Sequence, residues 1–456
     1  AVGRARARLV EALADTGYPG GSVEAEVDTS QAGLAKVVFR VEPGSFVSVG
    51  EVIIAGLVRT REPLVAGVVE RAGVTPGAPL SRRRLIAAQR GLFELGLFRS
   101  VALAQMPGHE NRSVRNIVVR LDEGEQRSVL VGIGYGEVDA ARLTLGWSHL
   151  NLLGRAWAFA AEVSLSQSRQ QYSLSLRHRR PFGLPVPGYL AVYRTTEIVA
   201  DRELLRRGLW VDFGDRLRRP LRPWFRYEYE IVQPDQPIEP RVDDELAESK
   251  VASITPSLDW DSRDNLLAPD RGIFASASVQ YAFPIFVADE HFLKVQAGTT
   301  VYGPLWRGLA AAGLRLGFIK PFDTAPGLAE NLQIPFAYRF FAGGRNSHRA
   351  FDTDSLGIPG QTLLDGSPVG GNALVLLNLE YRRRLAGDFW ASAFVDAGNV
   401  WGSPAEVELG DIRWGAGLGL QYRTPAGPLR AEYAWKLDPA PDEGQGQFFI
   451  SFGVAF

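Results

Sequence analysis

Cysteine is missing from all 456 residues, which excludes disulfide frameworks, thiolate metal sites and a cysteine nucleophile. Histidine is scarce. The five residues His109, His149, His178, His291 and His348 show no ligand spacing, so no metal and no cofactor is expected. Neither sign of charge dominates, and a formal net charge of −1 gives no footprint for nucleic acid. No serine, histidine and acid set emerges, and no catalytic residue is assigned. Long apolar runs are missing too: none reaches the roughly 18 to 20 residues of a membrane-spanning helix. Such a chain could cross a bilayer only as a closed barrel, because only helices and closed barrels satisfy every backbone polar group in lipid. It starts without methionine or leader, as a mature segment would, and its N-terminus is expected to cut a repeat.

What is abundant favours strands. Ten Trp, thirteen Tyr, twenty-four Phe and forty-nine Gly make an aromatic, glycine-rich composition. Up to about residue 123 the periods are mixed. Gly50–Gly56 reads as a strand, Thr60 can cap a helix over 61–72, and Ser81 can cap a second helix whose Leu85, Ala88, Leu92 and Leu95 form one apolar face before Gly96. Strands follow near 100–105 and 113–121. Strand, helix, helix, strand, strand predicts a small α+β layer over 44–124. Residues 1–43, with a helix over 2–15 and strands over 23–28 and 35–42, read as the C-terminal part of a similar unit.

From 125 to 456 the texture is runs of about ten residues in strict alternation, separated by Gly, Pro, Asp and Asn. Sixteen such runs predict a 16-stranded antiparallel transmembrane β-barrel, so the whole chain is expected to be mainly β. Connections after even-numbered runs are short (181–186, 218–220, 426–428), whereas 233–249 and 321–371, after odd-numbered runs, are long. Sorting of loop length by strand parity matches the two rims of a bacterial outer-membrane barrel. Gly132-x-Gly134-x-Gly136 and Gly415-x-Gly417-x-Gly419 lie inside period-two strands with no helix after them, so they are not nucleotide-binding loops. Arg179–Arg180, Arg216–Arg219 and Arg382–Arg384 fall at strand ends and are expected to snorkel toward headgroups.

Three stretches carry a resemblance. Phe340-Phe341-Ala342-Gly343-Gly344, followed by Arg349-Ala350-Phe351 in the longest loop, resembles the loop of BamA/TamA-type outer-membrane assembly factors that folds back into the barrel. His348 stands where that family has a branched aliphatic, and Ala350 where it has glycine, although alanine tolerates positive φ poorly. Phe394-Val395-Asp396-Ala397-Gly398 resembles the family's partner strand. Parity places Asp396 inward, and a bidentate Arg349–Asp396 bridge would satisfy both charges. Reciprocal exchange of the two residues should then rescue the single variants partially. The alternating end Gln447–Phe456 resembles the C-terminal aromatic signal of such barrels, and 46–101 resembles a POTRA domain.

The resemblance implies one complete and one partial POTRA domain in the periplasm of a Gram-negative bacterium and a barrel in its outer membrane. It implies that Arg349, Phe351, Asp396, Gly343 and Gly344 lock the loop inside the lumen. It also implies as partners unfolded outer-membrane or secreted client proteins, outer-membrane lipids, and accessory periplasmic or lipoprotein subunits. A two-partner secretion pore exporting one dedicated substrate is the alternative. Closure of the barrel requires its first and last strands to pair. Gly132, Gly134 and Gly136 on one side, and Phe452, Gly453 and the terminal Phe456 on the other, predict a weak lateral seam there.

Overall fold

The computed structural model describes residues 2–28, 35–107, 113–136, 140–214, 220–235, 248–266, 268–323, 326–424, 427–441 and 443–452. The chain divides into two compact units: Ala1–Val129 with Trp147–Ala160, and Leu130–Gly146 with Ala161–Phe456.

In the first unit helix α1 (Val2–Asp15) precedes the antiparallel pair β1 (Ser22–Asp28) and β2 (Lys36–Glu42). A three-stranded sheet follows. Strand β5 (Val114–Glu123) lies at its centre, parallel to β3 (Ser48–Ala55) and antiparallel to β4 (Phe98–Pro107). Helices α2 (Glu62–Arg71) and α3 (Arg82–Phe93) bury Val65, Val69, Ala88 and Leu92 against Ile117, Val119 and Leu121 of β5. Ser81 caps α3 as its sequence suggests, accepting from the Arg84 N–H at 3.2 Å. Thr60 does not cap α2: the N-cap is Arg61, with no side-chain cap bond. The Thr60 hydroxyl instead accepts from Asn151 Nδ2 at 2.9 Å, and the Thr60 N–H donates to Glu123. Two long-range partners outcompete the local cap.

The second feature is one antiparallel sheet of sixteen strands in sequence order. They are β6 (Arg127–Gly136), β7 (Ala140–Leu152), β8 (Trp157–Leu165), β9 (Arg169–His178), β10 (Gly188–Val199), β11 (Arg202–Gly214), β12 (Leu221–Pro234), β13 (Ser249–Asp261), β14 (Gly272–Ala282), β15 (Phe292–Leu305) and β16 (Gly308–Pro321). After the longest connection come β17 (Ala373–Ala386), β18 (Phe389–Trp401), β19 (Arg413–Thr424), β20 (Gly427–Lys436) and β21 (Gly446–Phe452). Each alternating run of the sequence meets one of these strands, because a period of two leaves no other regular structure that separates its two faces. Among the described residues no pairing joins the end strands β6 and β21.

Alternation sorts chemistry by face. In β19 Gly415, Gly417, Gly419 and Gln421 are buried, whereas Trp414, Leu418, Leu420 and Tyr422 are exposed. In β17 Leu376, Asn378, Glu380 and Arg382 are buried while Leu379 is exposed. The same rule puts Phe448 and Ile450 of β21 outward. Phe449, on the opposite face, is buried inward. One face is therefore largely apolar and open, and the other is covered and mixed, with glycine and charged or polar residues beside apolar ones such as Leu376 and Phe449.

Candidate functional site

What covers the inner face is the connection between β16 and β17. Its Ile334, Tyr338, Phe340, Ala342, Ala350, Phe351 and Leu356 pack with Phe292, Ile319, Leu374, Leu376, Phe394 and Val400 of the sheet in one apolar cluster. Two glycines shape the turn that follows Phe340. Gly343 has φ +116° and Gly344 φ +83°. A Cβ on Gly343 would lie 2.1 Å from the Asp352 carbonyl oxygen, so only glycine fits. The Gly344 N–H donates to the Phe351 carbonyl at 2.8 Å, and the Gly343 N–H to Ser347 Oγ at 3.1 Å, closing the turn that carries Arg349.

Arg349 is fully buried. Its guanidinium donates to both oxygens of Asp396, Nε to Oδ2 at 2.9 Å and Nη2 to Oδ1 at 2.8 Å, and its backbone N–H donates to Oδ2 at 3.0 Å. The remaining fork reaches Glu380 Oε2 at 2.9 Å. Burial opposes the charge, but the hydrogen bonds and charge of Asp396, with Glu380 and Glu432 behind it, hold the guanidinium more basic than usual. Phe394 lies beneath it, ring centroid 3.5 Å from Cζ. Asn378 Nδ2 donates to Asp396 Oδ1 at 2.8 Å and to the Ser347 carbonyl at 2.7 Å, tying strand to loop a second time.

Around this pair the sheet supplies a charge-balanced set. Glu380 also meets Arg382 Nε at 3.2 Å and Arg430 Nη1 at 3.3 Å, and Glu432 lies 3.6 Å from Arg430 and 3.7 Å from Arg349. Three guanidiniums thus face three carboxylates, all buried. Such a set is costly to desolvate, so it specifies one seating of the loop more than it adds stability.

A second polar cluster holds the other end of the loop. Glu230 of β12 is fully buried and takes both forks of Arg206, Nε and Nη2 each at 2.9 Å. Tyr193 donates to it from β10 and Tyr338, of the loop, from above at 2.8 Å. Lys294 Nζ donates to the Tyr338 carbonyl at 2.7 Å and sits 4.6 Å over the Phe340 ring.

A family model, the Omp85 superfamily domain, matches residues 151–456. The chain belongs to the Omp85 superfamily. Among its relatives is the outer membrane protein assembly factor BamA of Nitratidesulfovibrio vulgaris, 22% identical over 98% of this chain. BamA of Neisseria meningitidis is 21% identical over 92% of it. The chain spans 56% and 58% of the length of these two relatives. In fold, this Omp85 chain resembles the crystal structure of BamA from Haemophilus ducreyi lacking POTRA domains 1–3, with a TM-score of 0.77 and 19% identity, over 100% of this chain and 93% of that one.

Within the Omp85 sheet the structure brings Arg349, Asp396, Gly343 and Gly344 together. Phe351 joins them, edge-on to His348 at 4.9 Å and beneath the cations Arg413 and Lys436. The two departures from the family pattern are accommodated. Ala350 does not take positive φ. His348 is buried and donates from Nε2 to the Arg413 carbonyl at 3.1 Å, and burial pushes its imidazole toward the neutral form. Arg382 corrects an expectation: it is buried and inward-facing, held by Glu380, and does not snorkel. Arg179 and Arg180 are exposed, and 216–219 lie outside the described residues. Glu380, Arg430, Glu432 and Asn378 were missed. Parity puts all of them inward, yet which of many inward groups meet depends on register. Of the seam residues, Gly132, Gly134 and Gly136 are on β6 and Phe452 ends β21, while Gly453 and Phe456 lie outside the described residues.

Proposed function

We propose that this chain is an outer-membrane protein assembly factor whose sixteen strands close into a transmembrane barrel. Residues 1–43 and 44–124 are POTRA-type modules in the periplasm, the first partial, and 125–456 form the barrel. The modules receive unfolded clients, accessory subunits assist delivery, and the barrel lowers the barrier to insertion. No chemical step is needed. A client strand gains ladder hydrogen bonds and hides apolar surface, so the membrane and the client supply the driving force. The lumen loop, held by Arg349, Phe351, Asp396, Gly343 and Gly344, keeps the interior plugged while the seam at β6 and β21 stays free to open.

The observation that carries this reading is the buried Arg349–Asp396–Glu380 set, which seats a loop inside the sheet of an Omp85-superfamily chain. A loop packed along the buried face of the sheet argues against an open diffusion pore. The outward face, with Leu174, Val192, Leu314, Leu418 and Ile450 exposed, has the chemistry of a lipid-facing surface. The test is reconstitution of the full chain into liposomes with a urea-unfolded barrel client, counting folded client by its resistance to SDS without heating. Folding several-fold faster than in empty liposomes is expected. Equal rates would overturn the proposal.

A further inference from the structure

We propose that Arg194 and Arg207, on the outward face of the sheet, form a binding site for the phosphate-monoester headgroup of a membrane lipid. This rests on the reading of that face as lipid-facing. The register sets Arg194 of β10 directly opposite Arg207 of β11. Both are exposed, and both have outward parity: their neighbours Thr195 and Leu204 are buried, while Val192 and Ile198 are exposed. Directly opposed side chains on paired strands start about 5 Å apart, a position at which like charges repel and destabilise the ladder. Cations on the lipid face are tolerated only near the headgroups, and even there two in direct opposition repel. Two side by side need an anion between them.

The surroundings say what kind of anion. The same cross-strand row continues to Tyr172 of β9 on one side, and through Ile231 of β12 to Lys250 of β13 on the other. Toward the short-turn end the next row is Leu174, Val192, Leu209 and Tyr229, and the one after it Leu176, Leu190, Val211 and Tyr227. Toward the long-loop end lie Gln170, Thr196 and Gln233, with Leu205 between them. The cations therefore stand where an acyl-facing surface gives way to a polar one, which is headgroup depth. Glu248 takes one fork of Arg207 at 2.9 Å. Among the described residues no carboxylate pairs with Arg194 or Lys250. Two planar guanidiniums offer parallel N–H pairs, which match the several free oxygens and double charge of a phosphate monoester better than the single charge of a diester.

The experiment is native mass spectrometry of the full chain in detergent micelles, titrated with phosphatidic acid, phosphatidylglycerol or phosphatidylcholine, and in a separate arm with inorganic phosphate as competitor. Phosphatidic acid should bind at least tenfold tighter than phosphatidylcholine, with phosphatidylglycerol between. The double variant R194Q/R207Q should lose that margin, and E248Q, which frees Arg207, should widen it. R194K/R207K keeps the charge and loses the forks, so it should retain only part of the preference; it also serves if the glutamine pair does not fold. An unchanged margin in either double variant, no preference in the wild type, or full displacement by equimolar inorganic phosphate overturns the site. If no lipid binds at all, the lipid-facing reading itself fails; if lipids bind without preference, only the site does.

Discussion

Arg349 donates to Asp396 three times, twice from its guanidinium and once from its own backbone N–H. The backbone bond fixes the turn as well as the side chain, so Asp396 holds the loop by its main chain. Glu380 and Glu432 then make the environment of Arg349 more negative than one aspartate would.

That arrangement ranks the variants. R349A leaves three buried carboxylates to two arginines and should cost about 3–5 kcal/mol. D396A leaves Arg349 with Glu380 and should cost less. The reciprocal exchange R349D/D396R places a carboxylate beside Glu380 and should not rescue, contrary to what a two-residue bridge would allow. The temperature at which the unboiled protein unfolds on SDS gels measures all three. Recovery in the exchange variant would show that the surrounding set does not matter.

A second set of variants tests the turn and the tight contact it makes. G343A should destabilise more than G344A. Its Cβ would meet backbone at 2.1 Å, whereas Gly344's closest neighbour is the movable Thr353 hydroxyl at 2.9 Å. Strained φ alone costs about 1–3 kcal/mol. On the sheet, a Cβ at Gly415 would lie 2.7 Å from Ala350 Cβ and 2.8 Å from His348 Cε1. G415A should therefore be destabilising and A350G should partly relieve it. Additive losses in the pair would rule out that contact.

Much of this was legible in the sequence because it depends on period. Alternation located the sixteen strands, and parity put Asp396 inward. Neither could say that Glu380 of β17 and Glu432 of β20 converge on one arginine from a loop, since that requires the stagger of strands and the path of the loop. Arg382 illustrates the limit. At a strand end it reads as a snorkelling cation, and only its parity with Glu380 gives it away. Thr60 failed for a related reason: its helix-capping chemistry is local, but the Glu123 and Asn151 that claim it lie far along the chain.

The Glu230 cluster should behave as a second tether. Y338F removes one of several donors to Glu230 and should cost about 0.5–1.5 kcal/mol, the range for a single hydrogen bond. E230Q weakens Arg206 and both tyrosines together and should cost about 1.5–3 kcal/mol, the range for bonds to a charged group. Trypsin cleavage within the loop, measured in micelles, should rise in E230Q more than in Y338F. Equal protection in both would mean that the apolar cluster alone holds this end.

In the first unit, acid should loosen α1 from α3. The Asp15 carboxylate accepts from Ser81 Oγ at 2.8 Å and from the Arg83 N–H at 3.0 Å, and the Ser81 bond first, then the Arg83 bond, hold its pKa below the ordinary aspartate value. A carboxylate whose folded pKa is depressed stabilises above its unfolded value, and the contribution is lost as pH falls through the folded one. Between pH 5 and pH 2, protease sensitivity near 15–22 should therefore rise in the wild type. D15N, which has no charge to lose, should show a flatter profile. Parallel profiles would assign the acid response to other groups.

The last prediction concerns where the proposed barrel opens. Strand β6 exposes Val129, Leu130, Val131 and Ile133 by more than half, so neither of its faces is well packed. Its glycines add nothing, since a Cβ on Gly132 or Gly134 would meet a neighbour only at 3.5 or 4.0 Å. A strand with so few side-chain contacts should part from its partner at lower free energy than a strand such as β18, whose Phe394, Asp396 and Val400 are buried. One cysteine at Val131 and one scanned through 451–455, in a chain with no other cysteine, can lock β6 to β21. Locking should abolish client insertion and reduction should restore it. The control is a disulfide between Ala393 and Leu418, which are directly paired across β18 and β19 and should leave insertion intact because that pair has no reason to part. Full activity with the seam locked would mean that clients do not enter between β6 and β21, and would move the search for the insertion path to the lumen and its loop.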